Sequence, residues 1–116
     1  MRFAPCLLVL ASGALADPPA ILDARAAQGG DGHWRFDVTL AHPDSGWDHY
    51  ADGWEVLGPE GARLGFRGLL HPHVTEQPFT RSLAGVSIPE GLTEVRLRAR
   101  CSVDGWSAET VTVPLP

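Results

Sequence analysis

Residues 33 to 41 read HWRFDVTLA, and in them Trp34, Phe36, Val38 and Leu40 alternate with His33, Arg35, Asp37 and Thr39. A period of two with one apolar and one polar face marks a strand buried on one side. A second run, TEVRLRARCS at 93 to 102, repeats the pattern: Val95, Leu97, Ala99 and Cys101 share one face, and Arg96, Arg98 and Arg100 the other. Shorter strands are expected at Ile21 to Ala26, Trp54 to Leu57, Arg63 to Leu70, Phe79 to Ile88 with a bend at Gly85, and Thr110 to Val113. Turn chemistry separates them: GGDG at 29 to 32, PEG at 59 to 61 and at 89 to 91, and DG at 104 to 105. Proline followed by glycine is what tight turns require. No stretch carries a sustained helical period with caps. About seven short strands with regular turn signals predict an all-β, antiparallel β-sandwich.

Outward from these strands, the first residues MRFAPCLLVLASGALA have one basic side chain at Arg2, an apolar run from Cys6 to Ala11, and the small-residue ending Ala14-Leu15-Ala16. That is the pattern of a cleavable secretory signal. The run falls short of the roughly 20 apolar residues that span a bilayer. Residues 1–16 are therefore expected to be a signal peptide and 17–116 one periplasmic or secreted domain with no membrane span. The mature length suits a single domain with its own core. The full chain has a formal net charge of −5, with arginine as its basic residue and no lysine. An acidic domain is a poor partner for nucleic acid, which attracts basic patches. Once the leader is removed Cys101 has no partner within the chain, which leaves it buried, paired with another chain, or metal-bound.

The tail IPEGLTEVRLRARCSVDGWSAETVTV, residues 88 to 113, resembles the last two strands of a fibronectin type III or related immunoglobulin-like domain. Val95 stands where that family usually has tyrosine. The resemblance implies an immunoglobulin-like sandwich, and a fold by itself implies no activity. The whole chain is also similar to small secreted proteins of proteobacteria, a resemblance that likewise supplies no activity.

The segment HPDSGWDHYADGW, residues 42 to 54, concentrates imidazoles and aromatics where Pro, Gly, Ser and Asp announce a loop. His42 and His49 lie in it, and LLHPHVTEQPF supplies His71 and His73 two apart, on one side of an extended chain. Neutral imidazole is a common ligand for zinc, copper and iron. Superoxide reductases of the desulfoferrodoxin and neelaredoxin type are small immunoglobulin-like sandwiches that hold iron with histidines and one cysteine. This chain is similar at His42-Pro43, at His49, at WEV (54 to 56) and at CSVDGW (101 to 106). Asp104 occupies the place of a ligand histidine, and no counterpart of that family's early Lys-His pair is evident. The resemblance carries over His42, His49 and Cys101 as ligands and implies superoxide-reductase-like redox chemistry.

Two functions are thus expected from different classes. In the first, His42, His49, His71, His73, Cys101 and Asp104 gather at one pole and bind a transition metal ion: iron, copper or zinc. This needs the loops after Leu40, Leu70 and Cys101 to follow strands running the same way. In the second, Trp47, Tyr50 and Trp106 form a platform for a protein or glycan on a metal-free module, while Trp34 and Trp54 face the core. The chain contains no Gly-x-Ser-x-Gly and no phosphate-cradling glycine loop, so a hydrolase is disfavoured and no catalytic residue is assigned.

Overall fold

The computed structural model describes residues 18–116; the expected leader, 1–16, lies outside the described residues. Eight strands follow one another: β1 (Ala20–Gln28), β2 (Trp34–Ala41), β3 (Ala51–Leu57), β4 (Arg63–Gly68), β5 (Phe79–Val86), β6 (Glu94–Cys101), β7 (Gly105–Trp106) and β8 (Val111–Pro114). They build two antiparallel sheets. One has the order β1-β2-β5; in the other β4-β3-β6 is completed by β7 and β8, both paired to β6. The architecture is a β-sandwich.

Period two becomes packing in β2 and β6. Phe36, Val38 and Leu40 from β2 and Val95, Leu97 and Ala99 from β6 meet between the sheets with Trp54 and Val56 of β3, all nearly or wholly removed from water. Each large apolar side chain placed there contributes about 1.5–3 kcal/mol relative to leaving it exposed. Trp34 and Trp54 both belong to this core, as their strand positions require.

The eighth strand has a simple origin. β7 pairs Trp106 with Arg100, and β8 pairs Val111 with Leu97, so the outgoing strand carries two extra residues over that interval. The chain bulges off β6 after Ser107, whose amide still donates to the Ala99 carbonyl at 2.8 Å, and pairing resumes beyond Thr110. Gly85 adopts φ +73 where the β2–β5 register shifts between Trp34 and Phe36, and this accommodates the expected bend.

Register also fixes which loops meet. Ala51 at the start of β3 faces Cys101 at the end of β6, and Leu40 near the end of β2 faces Phe79 at the start of β5. The 42–50 loop, the 69–78 loop and the β6–β7 hairpin therefore emerge at the same pole, since β2, β4 and β6 run the same way. Hydrogen bonds tie them: Ser102 N donates to Tyr50 O (2.8 Å), Tyr50 N to Ser102 Oγ (3.0 Å), and His42 N to Gln77 Oε1 (3.0 Å).

Candidate metal centre

Cys101 reaches the site because it ends the inward face of β6; it is wholly buried and is the free cysteine among the described residues. His42 follows the last residue of β2, and His49 sits just ahead of β3. One ligand atom from each of His42, His49 and Cys101 lies within 4.8 Å of the other two. His49 Nε2 is 3.5 Å from Cys101 Sγ, and the two imidazoles meet edge to face with centroids 4.9 Å apart. From the hairpin, Asp104 accepts the thiol's hydrogen bond through Oδ2 at 3.5 Å and returns one from its backbone N–H to Sγ at 3.3 Å.

Those separations can be tested against an ion. A thiolate at about 2.3 Å and an imidazole or carboxylate at about 2.0–2.2 Å from a tetrahedral metal stand about 3.5–3.7 Å from each other. The Sγ–His49 separation already matches that edge and the His42 ligand atom has room to close in from within 4.8 Å; Asp104 stands 3.5 Å from Sγ but is not among the residues whose ligand atoms all converge.

His42 has the most constrained environment. Its side chain and that of Asp44 are both fully buried, and Nδ1 lies 2.6 Å from Asp44 Oδ1. A carboxylate can only accept, so Nδ1 carries the proton. Nε2 is then the nitrogen left over, and it is buried without a hydrogen-bond partner. An unsatisfied buried polar atom costs about 1–3 kcal/mol, which makes such an atom worth explaining.

Asp44 is a residue that sequence reasoning missed. Besides His42, its Oδ1 accepts the Ala51 amide at 2.9 Å, and its Oδ2 accepts the His73 amide at 2.8 Å. Gln77 adds a second tie, donating to the His73 carbonyl at 2.9 Å. The available signal was its spacing: an acidic residue two positions after a histidine lies on the same side of an extended chain.

His71 and His73 come to the same pole but not into the trio. The His73 ring stacks on Phe79 at 3.9 Å, and Arg81 donates to its Nε2 at 2.8 Å, so the lone pair that could bind an ion is taken. His71 stays exposed, with its ring 4.5 Å from that of His73. Burial first, then the nearby Arg81 and His71, hold the His73 imidazole below the ordinary histidine range, against the opposing pull of Glu76 and Asp44.

The aromatics divide as well. Trp47 is 68% exposed and meets Tyr50 edge to face at 5.6 Å. Trp106 is not beside them. Its register opposite Arg100 sends the indole to the outer face of the larger sheet, against Phe66 and under Arg63, Arg98 and Arg100.

Comparison with known proteins adds one relative. The chain is 41% identical over 93 residues, 80% of its own length, to a protein of Halomicrobium mukohataei named "Putative lipoprotein", and it spans about half (45%) of that protein's length. No protein-family model matches the chain. No solved structure matches it either.

Proposed function

We propose that the mature chain is an exported immunoglobulin-like β-sandwich that binds one divalent transition-metal ion through His42, His49 and Cys101, with Asp104 beside the thiolate. The observation that carries this reading is the convergence of three potential ligands from one loop and the end of strand β6, one of them an imidazole whose buried Nε2 has no partner. Two neutral imidazoles, a thiolate and a carboxylate balance a dication. Nitrogen and sulfur donors suit zinc and copper, and also iron as the resemblance to superoxide reductases implies. Binding would displace the thiol proton that is now hydrogen-bonded to Asp104, so affinity should rise with pH. Export is supported by the secretory pattern at residues 1–16 and by the lipoprotein name of the relative. The immunoglobulin-like assignment rests on the strand orders β1-β2-β5 and β4-β3-β6.

The test is metal content and affinity of tag-free mature protein for zinc, copper and iron. The same measurements are made on the paired variant His42→Ala with His49→Ala, on His71→Ala with His73→Ala, and on Cys101→Ser. Stoichiometric binding that is lost with the first pair and with Cys101→Ser, but kept with the second pair, is the expected result. Affinity no tighter than about millimolar, roughly −4 kcal/mol, would instead favour the metal-free reading. That second reading draws on one observation: the exposed Trp47 against Tyr50, suited to a protein or glycan.

A further inference from the structure

The Asp44 side chain is fully buried, and its carboxylate is satisfied by three N–H donors from three places in the chain: the His42 ring, the Ala51 amide and the His73 amide. Two of these donors are backbone amides at sequence separations of 7 and 29 residues. The third is the one side chain that could have rotated freely. An imidazole with no anchor can present either nitrogen and either tautomer. With Nδ1 held at 2.6 Å from a fixed carboxylate, His42 keeps its Nε2 in one direction.

We propose that Asp44 is a positioning residue of the centre described above: it locks His42 as the Nδ1–H tautomer with Nε2 presented to the ion, and through its second oxygen it makes the 69–78 loop the outer wall of that centre. The proposal rests on the metal-binding reading for its consequence, but its premise, the tautomer, belongs to the metal-free protein. Aligned carboxylate–imidazole pairs of this kind strengthen metal binding about 10–100-fold.

The experiment has two readouts. In the first, long-range nitrogen-15 NMR spectra of metal-free protein at neutral pH assign the His42 tautomer. The expected wild-type state is protonated at Nδ1 and bare at Nε2, and Asp44→Asn should perturb it; a wild-type His42 protonated at Nε2 would overturn the proposal whether or not any metal binds. In the second, cobalt(II) is titrated into wild type, Asp44→Asn, His42→Ala and the double variant. Asp44→Asn should weaken cobalt binding about 10–100-fold in the wild-type background and have little further effect once His42 is alanine. An equal loss in both backgrounds would mean that Asp44 acts only on the fold, and would overturn the proposal. Absence of cobalt binding in wild type, with the Nδ1–H tautomer present, would defeat the metal-binding reading and with it the role of Asp44 in a centre. Rescue of the tautomer and of affinity by Asp44→Glu would support the proposal. Amide exchange at His73 gives the folding control, because that N–H is bonded to the same carboxylate.

Discussion

At His73, geometry selects one protonation state. Arg81 is a permanent donor, so the Nε2 it points to must accept, and a proton added there would meet the guanidinium at 2.8 Å. The imidazole is accordingly pushed below its ordinary value, chiefly by burial. In the unfolded chain the same group takes up its proton as pH falls through about 6.5, whereas the folded chain resists. The unfolded state then binds more protons, and stability is lost as pH drops below that point while remaining flat above it. Urea midpoints measured at pH 7.5 and 5.5 should therefore fall on acidification, and His73→Gln, which keeps an acceptor, should reduce the fall. Equal falls in the two proteins would show that another group is responsible. The same residue explains why His-Pro-His could not be assigned from sequence. Spacing shows that two rings share a side of the chain, but not that a distant arginine already occupies one of them.

At the scale of elements, the outer face of the larger sheet depends on a missing side chain. Gly53 of β3 leaves the space over which the Phe66 ring lies; a Cβ there would come 2.9 Å from Phe66 Cε1 and 3.3 Å from the Arg67 carbonyl. Phe66 in turn meets Trp106 edge to face at 6.2 Å, with Arg63 over its ring. Beneath them Glu55 is 2% exposed although it points away from the core, held by Arg63 at 2.9 Å and by Arg98 at 2.6 Å. Gly53→Ala should cost about 1–3 kcal/mol by overpacking. In a Phe66→Ala background the cost should shrink, since the ring is the nearer obstacle; an unchanged cost would place the conflict at the Arg67 backbone. β2 and β6 were legible because their alternation is strict and one face of each is wholly apolar. The split of the last strand into β7 and β8 was not, because a bulge of two residues leaves no mark in hydrophobic period. Trp106 was misplaced for the same reason: as a strand residue opposite Arg100 it belongs to the sheet's outer face, and read as a loop residue it could be set beside Trp47.

For the whole molecule, the fold's contribution to function is to return three loops to one pole. The expectation that the loops after Leu40, Leu70 and Cys101 converge depended on strand count, and which histidines would meet Cys101 depended on register, which is set by strand pairing within each sheet. His42 and His49 arrive with Cys101; His71 and His73 stop behind Asp44. Export is the other proposal at this scale. Intact-mass measurement on protein recovered from the periplasm or medium should show a chain beginning at Asp17, and retention of Met1 there would count against a cleaved leader.

The proposal that one ion is shared between the 42–50 loop and the end of β6 is best tested by cobalt(II) absorption of the mature protein. One equivalent of cobalt should give a thiolate-to-metal charge-transfer band together with intense tetrahedral ligand-field bands. The charge-transfer band should vanish in Cys101→Ser, the spectrum should weaken in His42→Ala, and His71→Ala should leave it unchanged. A spectrum of octahedral, weakly held cobalt without a thiolate band, identical in wild type and Cys101→Ser, would contradict the centre.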